Sequence, residues 1–151
     1  MIKVLFICHG NICRSPMAEY LFRDLLKKYG AERDFCAESR AVSSEESGNP
    51  VHPGTKKVLD RLGISCKEKR AQLITKADCD EFDYLVLMDQ KNERWLRPYL
   101  GKNEKKVSLL LNWCGEERDV ADPWYTGDFE ATYRDVSRGC EALLKALLKK
   151  A

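Results

Sequence analysis

Long apolar runs are missing from this 151-residue chain. None approaches the roughly 20 residues that a membrane-spanning helix requires, so no membrane partner is expected. The N-terminus also lacks the basic region, apolar stretch and cleavage site of a secretory signal, which leads us to expect a cytoplasmic protein. Charge of one sign is absent too: 26 Lys and Arg face 24 Asp and Glu, a net charge of +2. That balance gives no support to a nucleic-acid-binding role. Histidine is scarce, with only His9 and His52, and no Cys-x2-Cys pair occurs. A structural zinc site is therefore not expected. The seven cysteines are odd in number and scattered, as reduced thiols are, rather than paired in a disulfide framework. Internal repeats and low-complexity segments are also lacking. The length suits one domain over residues 1–151, large enough to bury a full core.

What is present is concentrated in residues 4–16, Val-Leu-Phe-Ile-Cys-His-Gly-Asn-Ile-Cys-Arg-Ser-Pro. Val4 to Ile7 form a short apolar run that reads as a buried strand. Ser15-Pro16 reads as a helix start, with Ser15 the N-cap and Pro16 at the first helical position. Between them a tight loop runs from a thiol, Cys8, to a guanidinium, Arg14. The backbone N–H groups of such a loop, with the positive end of the helix dipole, form a cradle for an anion. Arg14 adds a planar fork matched to phosphate oxygens. The same positive field favours the thiolate form of Cys8, a strong nucleophile, and Ser15 can donate its hydroxyl to the sulfur. Asn11 is expected to take a left-handed conformation that turns amides inward.

Strands and helices alternate along the rest of the chain. Helix one is expected from Pro16 to about Tyr29, with Met17, Leu21 and Leu25 on its apolar face and Gly30 as its stop. A strand is expected over 35–42, a polar loop from Ser43 to Pro53, and a helix from Gly54 to Leu62 with Val58, Leu59 and Leu62 inward. Residues 64–75 are ambiguous, and Thr75–Cys79 reads as one helical turn. Phe82–Met88 is the most apolar strand, hence central, and Asp89 ends it. A helix over Gln90–Tyr99 carrying Trp95 and Leu96, a strand over Val107–Leu111 and a long loop over Asn112–Asp128 follow. The last helix, Phe129–Lys149, has the strongest period, through Val136, Cys140, Leu143, Leu144 and Leu147. This alternation implies an α/β fold: a parallel sheet with helices on both faces. Right-handed crossovers with four strands allow the order 2-1-3-4. The crevice then lies where the order reverses, beside Cys8 and Asp89.

A thiolate attacking phosphorus needs a proton donor for the departing oxygen, and Asp122 is the candidate. It precedes Pro123, so its backbone is held extended and away from helical capping. Partial burial beside Trp124 and Tyr125, with a phosphate dianion near, favours retention of its proton. An isolated Asp-Pro is more often a simple turn, so the residues alone leave that alternative open.

The spacing Cys8-x5-Arg14-Ser15-Pro16 resembles the signature of the low-molecular-weight protein tyrosine phosphatases, and Asp122-Pro123-Trp124-Tyr125 ahead of the final helix extends the likeness to the far end of the chain. The resemblance implies the strand order 2-1-3-4 and Asp122 as general acid and base. It implies hydrolysis of phosphotyrosine in proteins, and of small aryl phosphates, through a cysteinyl-phosphate, with inorganic phosphate as product and no metal or other cofactor. His9, Gly10, Asn11, Ile12, Cys13 and Ser15 complete the phosphate-binding loop. Ser39 supports Asn11, Asp89 orients the crevice, and Ile12, Trp124 and Tyr125 are the substrate walls. Ile12 stands where the similar arginine-phosphate phosphatases carry Thr, which argues for tyrosine. A monomer is expected.

Arg40, Glu45, His52 and Lys69 depart from the family pattern and leave the preference around the tyrosine open. Cys13 is either a redox partner that protects Cys8 under peroxide or a small buried residue. Two rivals remain. A thioredoxin-coupled arsenate reductase needs relay cysteines close together, but Cys79 has no near partner before Cys114. A non-catalytic phosphate-binding module has no need of Cys8 or Asp122.

Overall fold

The computed structural model describes residues 1–150, so the last residue of the expected domain, Ala151, lies outside the described residues. Four parallel strands, β1 (Ile2–Cys8), β2 (Phe35–Ala41), β3 (Tyr84–Leu87) and β4 (Val107–Leu109), form one sheet in the order β2-β1-β3-β4. This is the expected 2-1-3-4 arrangement. β1 is central because every residue from Val4 to Ile7 is fully buried, as a strand covered on both faces must be. It pairs with β2 from Ile2↔Phe35 to Cys8↔Ala41, and with β3 from Val4↔Tyr84 to Ile7↔Leu87.

The period of two along β1 divides the core. Val4, Phe6 and Cys8 face α1 (Arg14–Lys28), α2 (Pro53–Arg61) and α6 (Phe129–Lys150). Leu5 and Ile7 face α3 (Lys76–Glu81) and α4 (Lys91–Leu100). α6 lies along α1, and its Gly139 is required there: a Cβ would come within 2.5 Å of Leu110 Cγ. No helix among the described residues is long and apolar enough to cross a membrane.

Several boundaries differ from expectation for identifiable reasons. α1 begins at Arg14 rather than Pro16, and its N-cap is Cys13, without a side-chain cap bond. Ser15 is therefore not the cap; its hydroxyl is engaged elsewhere, as described below. α2 starts at Pro53 because the His52 ring takes the cap, accepting from Gly54 N–H at 3.0 Å. Leu62 follows α2 and is 41% exposed instead of inward. The strand expected over Phe82–Met88 is shortened to Tyr84–Leu87 because Phe82 is the C-cap of α3. The strand expected to reach Leu111 stops at Leu109, where a 3-10 turn, Leu110–Cys114, sends both leucines into the core.

Candidate active site

The loop between β1 and α1 closes around the sulfur of Cys8. Asn11 is the one non-glycine residue with positive φ among the described residues, at 60°. An asparagine tolerates that conformation because its short polar side chain bonds locally. The turn places Asn11 N–H 3.3 Å from Cys8 Sγ, and Ser15 Oγ lies 3.0 Å from the same sulfur. The orientation of the Asn11 amide follows from its partners. Oδ1 accepts from the Gln72 backbone N–H at 3.0 Å, so Nδ2 donates to Ser15 Oγ at 2.8 Å and to Ser39 Oγ at 2.9 Å. Ser15 already accepts from Asn11, which leaves its own proton for the sulfur.

Behind Ser39 lies a buried charge network that the sequence did not reveal as a unit. Ser39 Oγ donates to Glu19 Oε1 at 2.5 Å. Lys69 Nζ stands 3.3 Å from the same Oε1 and donates to the Ser39 carbonyl at 3.0 Å. Arg23 closes on Glu19 Oε2 at 2.5 Å. Glu19 is 2% exposed and Lys69 9%. Burial pushes the Lys69 ammonium below its ordinary value of 10.5, against the upward pull of Glu19. The only legible signal was Lys69 itself, as a departure from the family pattern.

Arg14 is 2% exposed, an extreme position for a guanidinium. Its Nη1 donates to Asp89 Oδ2 at 2.7 Å and to the Val120 carbonyl at 2.8 Å, while Nη2 reaches Asp122 Oδ2 at 3.4 Å. Nε is buried without a hydrogen-bond partner among the described residues. A buried unpaired donor is costly, and with Nη2 it forms one edge of the planar fork, the edge that binds two oxygens of an oxyanion side by side. Burial alone would lower the Arg14 pKa, but Cys8, Asp122 and Asp89 together raise it, so the guanidinium stays charged.

Asp122 comes from far along the chain, on a segment whose Val120 N–H binds the Met88 carbonyl at the end of β3 at 2.9 Å. Its backbone is extended as expected (φ −79°, ψ 113°), yet it does cap a helix: Oδ1 accepts from Trp124 N–H at 3.0 Å and starts the four-residue α5 (Pro123–Thr126). Extended backbone ahead of a proline is itself N-cap geometry, so the expectation that Asp122 stands away from capping is corrected. The cap leaves Oδ2 directed at Arg14.

These groups border a cavity of about 200 Å³ with Cys8 and Arg14 inside it and Ile12, Asp122, Trp124 and Tyr125 on its walls. Drug-sized ligands occupy pockets of roughly 300–1,000 Å³; this one suits a phosphoryl group and the ring that bears it. His9, Gly10 and Cys13 also line it, and Glu45 and Glu46 stand at its edge. Glu46, half-buried here, was not singled out from the sequence because a glutamate in a polar loop carries no motif. Trp124 and Tyr125 are 58% and 84% exposed, and Trp124 meets His52 edge-on at 5.6 Å, while His52 stacks on Phe129 at 4.9 Å. The Cys13 thiol is 4% exposed, and burial first, then the charges of Cys8 and Asp122, push its pKa up to about 12. All seven cysteines are free thiols. No group of three or more potential metal ligands occurs among the described residues.

The family model for low molecular weight phosphotyrosine protein phosphatases matches residues 3–151. Low molecular weight protein-tyrosine-phosphatase YfkJ of Bacillus subtilis is 44% identical over 153 residues, covering 99% of this chain and 98% of the relative. PtpA of Staphylococcus aureus is 38% identical over 152 residues, 100% of this chain and 97% of its own. The crystal structure of YfkJ superposes with a TM-score of 0.95 over 99% of this chain and 96% of that one. That of SP-PTP, a low molecular weight protein tyrosine phosphatase from Streptococcus pyogenes, gives 0.86 at 39% identity, over 97% and 93%.

Proposed function

As a member of the low molecular weight phosphotyrosine protein phosphatase family, the chain is a cysteine-dependent protein-tyrosine phosphatase, and we propose that Cys8 is its nucleophile, Arg14 its phosphate clamp and Asp122 its general acid and base. The observation that carries these assignments is the buried Arg14 edge: Nε has no partner, while Nη1 is fixed by Asp89 and the Val120 carbonyl, in the cavity that Cys8 also lines. A phosphate oxyanion supplies the missing acceptors.

The chemistry runs in two displacements. The Cys8 thiolate attacks phosphorus in line as the bond to the tyrosine oxygen breaks, and the Asp122 carboxyl gives its proton to that oxygen. A cysteinyl-phosphate and a free tyrosine side chain result. Water then attacks phosphorus as the Asp122 carboxylate takes its proton, releasing inorganic phosphate and restoring the thiolate. Arg14 and the loop amides hold the equatorial oxygens through both steps. Ser15, held by Asn11, donates to the sulfur when it is expelled. Ile12, Trp124 and Tyr125 flank the substrate ring. The substrates are phosphotyrosine-containing proteins, the protein acts as a monomer over a single domain, and the seven free thiols suit a reducing cytoplasm.

Asp122→Asn tests the least local assignment. General acid catalysis is worth about 10²–10⁴-fold, and its value grows as the leaving group worsens. In single-turnover measurements Asp122→Asn should slow cleavage of a phosphotyrosine peptide far more than cleavage of a nitrophenyl phosphate. Equal losses for both would assign the acid to another residue.

A further inference from the structure

A second cavity of about 360 Å³ lies beside the first. His9, Arg14, Asp122 and Tyr125 line both, so the two share a wall. The far side of the second is Trp95, half exposed, with the His9 ring edge-on to it at 5.2 Å and 89°. Lys91 lines the same cavity and lies four residues before Trp95 on α4, hence on the same helix face.

Each of the cavity's carboxylates has a hydrogen-bond partner, and two of them, Asp89 and Asp122, share the charge of Arg14. Asp89 binds Arg14 at 2.7 Å and the Asn92 N–H at 3.0 Å. Asp119 accepts from Gln90 N–H at 3.0 Å. Asp122 caps α5 and faces Arg14. By contrast, the only ion pair on α4 among the described residues is Arg97–Glu93, at 3.5 Å. The uncommitted groups are therefore an indole face and the Lys91 ammonium, an aromatic and cationic pair. The Cys8 cavity is edged instead by Glu45 and Glu46, with His9 Nε2 3.4 Å from Glu45 Oε1.

We propose that the Trp95–Lys91 cavity is a substrate subsite that takes an aromatic side chain two residues from the phosphotyrosine, within an acidic stretch of the substrate. In an extended chain, residues i and i+2 point the same way and lie about 6.6 Å apart, so a side chain two positions from the phosphotyrosine faces the same surface and can cross the wall the cavities share. The aromatic ring stacks on Trp95, and acidic neighbours meet Lys91. This reading rests on the phosphotyrosine phosphatase assignment above.

The test uses phosphotyrosine peptides with Phe or Ala at the −2 or the +2 position and Glu or Lys beyond it. For the native enzyme, Phe at one of the two positions should raise kcat/KM roughly three- to tenfold over Ala. Trp95→Ala should erase that preference and Trp95→Phe should keep it, while turnover of p-nitrophenyl phosphate stays unchanged in both. Lys91→Glu should reverse the preference for Glu over Lys, and added salt should weaken it. A Phe-over-Ala ratio that persists in Trp95→Ala, or an equal loss on peptides and p-nitrophenyl phosphate, overturns the subsite. Cleavage of aryl phosphates but of no phosphotyrosine peptide, whatever its flank, overturns the phosphotyrosine assignment as well.

Discussion

Lys69→Met removes a cation from the buried network behind the β1–α1 loop. In the folded chain Glu19 would lose the Lys69 contact at 3.3 Å but keep Arg23 at 2.5 Å and the Ser39 hydroxyl at 2.5 Å. Stripping a buried charge of its partner costs about 3–5 kcal/mol. Because Arg23 still neutralises Glu19, the expected cost is lower, roughly 1–2 kcal/mol, or about 2–8 °C in Tm for a domain of this size. Replacing both partners, as Glu19→Leu with Lys69→Met, should cost less than the two single changes added together, since no unpaired charge then remains buried. The pH dependence has a definite sign. Burial lowers the pKa of folded Lys69 below 10.5, so as pH rises through the folded value the native chain releases a proton that the unfolded chain keeps. Native stability attributable to this site therefore rises with pH up to the unfolded value, and the deficit of Lys69→Met should widen over the same alkaline window. Urea unfolding of the native protein and the variant from neutral pH to about pH 10 measures the difference. A variant as stable as the native protein at neutral pH, with a pH-independent difference, would refute this account of the network.

Gly54→Ala drives a Cβ into the Phe129 ring, and overpacking of this kind costs roughly 1–3 kcal/mol. Thermal unfolding should show the loss, with partial recovery in Gly54→Ala combined with Phe129→Leu. Farther along α6, hydrogen bonds from Arg118, then Arg138, hold the Asp135 carboxyl below its ordinary value of 3.8. Its contribution to stability is present above that value and lost as pH falls through the lower, folded one; Arg118→Met should flatten the acid limb of an unfolding curve. With its pKa pushed up to about 12, Cys13 stays protonated at neutral pH. Iodoacetamide should then alkylate Cys8 and spare Cys13, as peptide mass mapping will read.

How far the sequence could be read depended on whether the chemistry was contiguous. Cys8, Asn11, Arg14 and Ser15 sit within eight residues, so a strand, a turn and a helix start sufficed to bring them together. The strand order was legible for the same kind of reason, because right-handed crossovers leave few arrangements for four parallel strands. Ser15 was misread as a cap because cap propensity is local, whereas its hydroxyl is engaged by a sulfur seven residues back. The Val120 carbonyl that seats Arg14 has no sequence signature, since every residue carries one. The helix carrying Trp95 and Leu96 was legible, but not that Leu96 is buried while Trp95 is half exposed beside a cavity.

The loop at the end of β1 is held by segments spread over most of the chain. The Gln72 amide binds Asn11, the His52 amide binds the Ile12 carbonyl at 2.8 Å, Thr55 Oγ1 binds the Cys13 carbonyl at 3.0 Å, and the Val120 carbonyl binds Arg14. Arg14 and Val120, 106 residues apart in the chain, must therefore both be docked before the surroundings of Cys8 are complete. A fragment cut between Arg14 and Val120 would keep the thiol but lose the carbonyl that seats the guanidinium. The same spread of anchors ties the loop to the cooperative unit as a whole: amide exchange at Asn11 should follow global unfolding rather than local fraying.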